Sequence, residues 1–422
     1  MLSKYRLLTL CSGLILSTAV NGSESNKNLS KDSMSLRQAV SKSIEHHPAL
    51  AAFSFQLQAQ HAREKQAGLS ASPEMSFSIE DAMGTGEFDS LESAQATLGI
   101  AWLLEGNIRD GYANIENAET QQLIAKADNK RLNIASETAR LYILSMANQA
   151  RFEIVTKSVE IAEKSVSEIG KRLHAGRTAK AELARAEAEL ARRKLELEDI
   201  HHELESVYRL LAAQWGDIKP SFTNVSGNIY TLPRPVSYES LQQAFNKNPA
   251  FIRLMSERSV KQAELKLEKS KSSSPWKFNL AVKHFESTQE QALTAGLSIP
   301  FGERSRNREG IARAQSLLSE LDAKEQAVRV NYQTQLFVLY QEYNHSLHRI
   351  DSYQKEIIPR LEKALKETHR AYNLGRYSYL EWQSVQADLL NTKFELLESS
   401  VDAHLKMVEI ERLTGVRIAQ AQ

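Results

Sequence analysis

The sequence is poor in the residues that build compact secreted domains and catalytic centres. Its one cysteine, Cys11, lies inside an apolar N-terminal stretch, so the mature chain is expected to hold no disulfide. Leu10, directly before it, is too bulky for a lipoprotein processing site, which excludes a cysteine-linked lipid. Aromatic residues make up only 7% of the chain, so stability must come from helix packing or assembly rather than from a large aromatic core. The formal net charge is +1, and no basic field marks nucleic acid as a partner. No window after residue 22 is apolar enough to cross a membrane as a helix. A nucleophile elbow, a phosphate loop, an HExxH helix and a correctly flanked GxGxxG are all missing. An enzyme is not expected, nor a cofactor.

What the sequence does contain is a leader, many helix formers and an internal repeat. Lys4 and Arg6 precede an apolar core from Leu7 to Val20, so residues 1–22 are expected to be a signal peptide cleaved near Gly22. Residues 174–190, HAGRTAKAELARAEAEL, align without a gap on 373–389, NLGRYSYLEWQSVQADL. Thr97, Gly99 and Ile100 correspond to Thr294, Gly296 and Leu297, and Pro48-Ala49 corresponds to Pro249-Ala250. A period of about 200 residues exceeds the roughly 20–50 of solenoid units, and implies two copies of one larger unit. The organisation that follows is repeat one over 23–221, a Pro-, Gly- and Asn-rich linker over 222–236, and repeat two over 237–422.

Each repeat changes its period twice. Amphipathic helices over about 35–46 and from Pro48 to Ser70 stop at Ser72-Pro73. Met75, Phe77 and Ile79 then alternate with Ser76, Ser78 and Glu80, and Leu98, Ile100 and Trp102 alternate with Thr97, Gly99 and Ala101. The second repeat does the same with Trp276, Phe278, Leu280 and Val282, and with Leu293, Ala295 and Leu297. Period two with one apolar face predicts β-hairpins at about 74–103 and 276–300. After each hairpin comes a proline-poor stretch predicting a very long helix; the first, from about Asn107 to Leu173, would extend roughly 100 Å. Gly176 marks the reversal into a return helix over 178–214. There Leu183, Leu190, Leu197, Leu204 and Leu211 recur every seven residues, with Ala186, Ile200 and Val207 at the +3 positions. The second copy carries Trp382, Leu389, Leu396, Ala403 and Ile410 at the same interval, which predicts side-by-side coiled-coil packing.

Four strands of nine or ten residues suit a membrane-spanning β-structure but cannot close a barrel, which needs about eight. Open edges in lipid cost several kcal/mol per unsatisfied backbone group. Three copies would supply twelve strands and a barrel wide enough for water. The fold class expected is therefore mainly α with a small β part: two pseudo-repeats, a trimeric α-helical barrel and a shared 12-stranded β-barrel. The alternative is a pair of soluble hairpins, each covering a helix.

A signal peptide, two repeats of helix, hairpin and long helical hairpin, and a glycine turn before a heptad helix resemble the TolC-like outer membrane efflux family. The segments AGLSASPEMSFSIED (67–81) and ATLGIAWLLEGNIRDG (96–111) resemble its cation-efflux branch, typified by CzcC. The resemblance implies a homotrimer in outer membrane lipid, with its helical barrel in the periplasm. It also implies two partners, a periplasmic adaptor and an inner-membrane pump of the resistance-nodulation-division type.

The turns at 174–178 and 373–378 fall at the helix ends far from the hairpins. Gly176 and Gly375 are explained as helix C-caps, but the matching Arg177 and Arg376 are not. With Thr178, Tyr377 and Ser378 they are the expected adaptor-contact positions. By resemblance, Tyr372, Glu182 and Glu381 take the places of residues that constrict the periplasmic aperture. The family's aperture arginine and second aspartate fall on Tyr377 and Ser384 here, so its salt-bridge lock is not reproduced. Glu381 side chains gathered near an axis would form a cation-attracting ring, against the ordinary alternative of a solvated helix face. Pro359 replaces Glu160 of the first repeat, and predicts a bend that carries the second hairpin inward.

His345 and His348 share a helix face, but neither they nor His46-His47 and His201-His202 have a third ligand, so no metal site is expected. The functions left open are an efflux duct, a type I secretion duct of the same fold, and an exported coiled-coil scaffold without a pore.

Overall fold

The computed structural model describes residues 33–232 and 237–415. The leader at 1–22 and the end of the linker at 233–236 lie outside them. Each repeat opens with capped helices. Ser35 and Gln38 form a capping box for α1 (Leu36–His46). His47 Nδ1 accepts from Ala49 N at 3.1 Å at the start of α2 (Pro48–Ala67). In the second repeat α5 (Tyr238–Gln243) is followed by α6 (Pro249–Lys271), where Asn248 Oδ1 accepts from Ala250 N at 2.7 Å. Both long openers carry proline at the first helical position, whose missing N–H costs nothing there.

The strands are β2 (Glu74–Glu80) and β3 (Gln95–Leu104), then β5 (Trp276–Phe285) and β6 (Glu290–Ser298). β2 has seven residues, fewer than the alternation suggested, because the chain leaves the sheet at Asp81 in a positive-φ conformation. The two hairpins join side by side into one antiparallel sheet ordered β2-β3-β5-β6. Among the described residues β2 and β6 each have a neighbour on one side only.

The helices follow the same order. α3 (Asn107–His174) packs against α2 on one side and α6 on the other, and α6 packs against α8 (Arg308–Ser352), which follows the short α7 (Glu303–Arg306). Toward the far end, α4 (Lys180–Ala213) lies along α3, while α10 (Tyr379–Thr414) lies along α3, α8 and α9 (Ile358–Asn373). α3 has 68 residues and therefore spans roughly 100 Å. Of its two glycines, Gly111 lies tight against α6: a Cβ there would stand 2.8 Å from Leu267 Cδ1 and 3.3 Å from Leu267 Cα.

The heptad reading holds unevenly. In α10 Trp382, Leu389, Leu396, Ala403 and Ile410 are all buried. In α4 the buried residues are Ala186, Ile200, Val207, Tyr208, Leu211 and Ala212, whereas Leu183, Leu190, Leu197 and Leu204 are half-buried. The +3 set faces α3 together with Leu211, and the other four leucines of the stripe flank the seam.

The segment expected to be a free linker is strapped down. Asn224–Val225 (β4) pairs in parallel with Ser33–Met34 (β1), and Phe222, Val225 and Ile229 are buried. Tyr142 Oη donates to the carbonyls of Met34, at 3.0 Å, and Ser226, pinning both strands to α3.

The two repeats differ along their long helices. α3 is continuous, but between α8 and α9 the residues Tyr353–Ile357 form a π-turn, where Ile358 N donates to Tyr353 O. Pro359 sits one residue beyond. It has no N–H for the carbonyl four residues back and its ring crowds that carbonyl, so the backbone widens instead of breaking.

Candidate functional site: a two-faced sheet and paired helical tips

The register separates the sheet into two chemically distinct faces. Phe77, Leu98, Val282 and Leu293 stand directly opposite one another in a row across all four strands. Met75, Ile100, Leu280 and Ala295 form the next such row. Phe77 is 67% exposed and Leu293 77%, so this apolar face has no cover among the described residues. At its helix end Trp102 stacks on Phe278 with centroids 6.1 Å apart. On the other face the matching rows are Ser76, Gly99, Ala281, Thr294 and Ser78, Thr97, Lys283, Ala292. Here Lys277 Nζ lies 2.9 Å from Glu74 Oε2 and Lys283 Nζ 3.0 Å from Glu80 Oε2, each pair reaching from β5 over β3 to β2. At Gly99 an added Cβ would meet Ser76 Oγ at 3.0 Å, and at Gly296 it would collide with Asn279. The polar face is thus lined in its middle rows with small residues and carries two Lys–Glu pairs, with Glu290 of β6 beyond them.

At the other end of the chain the two tips share one backbone design. Gly176 (φ +68°) donates to Leu173 O while Arg177 N donates to Arg172 O. Gly375 (φ +71°) donates to Tyr372 O while Arg376 N donates to Ala371 O. Both are left-handed glycine C-caps that satisfy the last carbonyls of a long helix, as the sequence implied. Arg177 and Arg376 are exposed. Thr178 Oγ1 donates to the carboxylate of Glu182, and Ser378 with Glu381 forms a capping box in which Glu381 Oε2 accepts from Ser378 N at 2.7 Å. Around this shared backbone the surfaces differ. Leu374, Tyr377 and Leu380 of the second tip are exposed, where the first has Ala175, Thr178 and Ala181.

The tips also pack against each other, which the sequence did not reveal. Ile169, Ala186, Tyr372, Tyr379 and Trp382 form one buried cluster drawn from α3, α4, α9 and α10. Tyr372 stacks on Trp382 at 5.2 Å, and the Arg172 guanidinium covers its other side at 4.3 Å. Its hydroxyl is buried near Thr178 without a well-formed hydrogen bond. Burial raises the Tyr372 pKa, and burial with nearby Glu189 pushes Tyr379 up to about 12, so both phenols stay neutral. The structure places the expected aperture residues as follows. Tyr372 is 2% exposed, a core residue of the tip rather than a side chain reaching into open space. Glu381, though exposed, is committed to capping α10, because helix N-termini leave orphan N–H groups that a carboxylate satisfies. Glu182 is held by Thr178.

Among the described residues no group of three or more His, Cys, Asp or Glu side chains gathers to hold a metal. His345 and His348 are both exposed.

No family model matches the chain. In sequence it is similar to the cobalt-zinc-cadmium resistance protein CzcC of Cupriavidus metallidurans: 22% identical over 352 residues, covering 83% of this chain and 82% of that one. In structure it is similar to the outer-membrane channel OprN, with a TM-score of 0.74 at 16% identity over 91% of this chain and 90% of the other. It also superposes on the outer membrane protein VceC of Vibrio cholerae, with a TM-score of 0.70 at 16% identity over 90% and 96% of the two chains.

Proposed function

We propose that this chain, which has the fold of the TolC-like outer-membrane channels and sequence likeness to their CzcC branch, is the outer-membrane duct of a tripartite efflux system. The single observation that carries this reading is the sheet. It presents uncovered apolar rows on one face, small and charged residues on the other, and a free edge at each end. In lipid those edges must be paired, and a sheet of four strands cannot pair its own. Three copies placed edge to edge close twelve strands, turning the apolar rows to the acyl chains and the polar rows to an aqueous lumen. The Trp102–Phe278 stack then lies at the periplasmic interface, where aromatic rings are favoured.

The helices continue the barrel as a periplasmic tube whose far end is built by the two tips. Arg177, Arg376 and the exposed Leu374, Tyr377 and Leu380 are the surface offered to a periplasmic adaptor, through which an inner-membrane pump of the resistance-nodulation-division type supplies the energy. The chain itself performs no chemistry and needs no cofactor. A heavy-metal or related cation as cargo rests on the likeness to CzcC.

Reconstitution of the purified protein in planar bilayers tests the pore directly. Large, stable conductance steps support it; a protein that leaves the bilayer insulating sinks it. The cargo is tested separately by deleting the gene. Loss of tolerance to cobalt, zinc or cadmium supports a cation system, whereas unchanged metal tolerance with lost drug tolerance or lost protein export removes it.

A further inference from the structure

The two helical pairs are joined at their tips by one apolar cluster, and on its sheet side they separate. A cavity of about 180 Å³ opens there between α3, α4, α9 and α10, walled by Ile161, Ala162, Leu365 and Leu389. Beyond the cavity α3 and α10 meet again around Ile143 and Leu397, so the tip cluster of five buried residues is a separate contact between the pairs that can part without the other. Two polar links cross the same boundary. Arg172 Nη1 donates to Tyr372 O at 3.0 Å, and His369 Nε2 lies 3.1 Å from Glu168 Oε2. The His369 ring is held flat on Trp382, with centroids 4.6 Å apart and planes at 29°. About three turns back along α9 stand Pro359 and the π-turn, a local weakening of the second long helix that the first lacks.

We propose that Glu168 and His369 form a proton-dependent clasp between the two tip hairpins, with the Pro359 π-turn as its pivot. This rests on the duct reading, in which the tips form the periplasmic entrance. Of the two links only this one contains a side chain whose charge changes under ordinary physiological conditions. With the imidazole charged, the contact is an ion pair with a charge-assisted hydrogen bond; with it neutral, a single N–H···O bond remains. The ring nitrogen facing Glu168 of α3 also lies 3.4 Å from Asn373 Nδ2; Arg172 of α3 and Glu182 of α4 act on the neighbouring Tyr372, and Lys366 and Arg370 are the charged residues next to His369 along α9. α10 presents the uncharged rings of Trp382 and Tyr379, its Glu381 being engaged in the helix cap. Acid therefore tightens the clasp through Glu168, and a rise in pH loosens it. Both partners are partly exposed, so one clasp is weak. Three in a trimer act on one entrance.

The test is single-channel recording of the purified, processed protein in planar bilayers between about pH 5.5 and 8. Openings of the wild type are expected to become rarer on acidification, by roughly threefold to tenfold for three weak pairs acting together. His369→Gln and Glu168→Gln should each flatten that response while leaving the conductance of an open channel unchanged. A wild-type response that survives in both variants, or a wild type indifferent to pH, overturns the clasp. A chain that never conducts overturns the duct reading instead. The clasp is then read from Trp382 fluorescence, which a charged imidazole stacked on the indole quenches. Acid quenching present in the wild type, lost in His369→Gln and displaced in Glu168→Gln supports it; identical titrations in all three refute it.

Discussion

Arg172 and Tyr372 lie 200 residues apart, in different repeats, yet the guanidinium of one donates to the main-chain carbonyl of the other at 3.0 Å and covers its ring at 4.3 Å. The link spans the boundary between the tip hairpins and uses the backbone of the residue just before the second turn. Hydrogen bonds from charged donors contribute about 1.5–3 kcal/mol, and a partly exposed one falls near the lower end. Arg172→Ala should loosen the tips without unfolding the chain. Hydrogen exchange should speed up several-fold at 166–183 and 365–382 while the strands keep their protection. Uniform acceleration would mean that the tips are not a separate unit.

At Gly111 the backbone of α3 lies against Leu267 of α6. A Cβ would stand 2.8 Å from Leu267 Cδ1 and 3.3 Å from Leu267 Cα, so the leucine must move and the helices must part. Gly111→Val should cost about 1–3 kcal/mol, as overpacking does. The check is the midpoint of thermal unfolding, and Leu267→Ala should recover part of the loss in the double variant. No recovery would place the strain elsewhere.

The polar face of the sheet carries Lys277 against Glu74 and Lys283 against Glu80, a neutral pair at each end. On the duct reading, Lys277→Met with Lys283→Met leaves the carboxylates of Glu74 and Glu80 without their partners in the lumen. Rings of acidic charge favour cations. Reversal potentials in a salt gradient should move toward cation selectivity. An unchanged potential would place these residues outside the conducting path.

His404 joins α10 to the strap between the repeats, donating from Nε2 to Ile229 O at 3.0 Å. Burial lowers its pKa from the usual 6.5, since the charged ring cannot be solvated there, and the bond to Ile229 O only partly offsets this. For a histidine whose folded pKa is depressed, the contribution to stability is fully present above the unfolded value. It is lost as pH falls through the folded one. Unfolding midpoints should therefore decline below about pH 6.5 more steeply in the wild type than in His404→Gln. Parallel curves would show that another group governs the acid limb.

Much of the architecture is legible in the residues because it is local. Period two in Met75, Phe77 and Ile79, the glycines at 176 and 375, and Pro359 each act on their own few residues. The strands and reversals fall where those residues stand, and Pro359, from which a bend is expected, lies just after a π-turn. What could not be read depends on neighbours far along the chain. The α4 leucines repeat every seven residues, but Ala186, Ile200 and Val207 are the residues turned to α3, because the stripe's orientation is set by its partner. The Gly- and Asn-rich linker looks free until Tyr142 and β1 capture it. Tyr372 and Glu381 take aperture positions by family resemblance. Spacing does not reveal that one is stacked between Arg172 and Trp382 or that the other closes a capping box.

Native mass spectrometry of the protein extracted from outer membranes in mild detergent addresses the shared barrel most directly. A complex of three processed chains that survives detergent and dissociates only on heating is the expected result. A processed, folded single chain as the stable species would contradict it, because β2 and β6 would then be left with open edges in lipid.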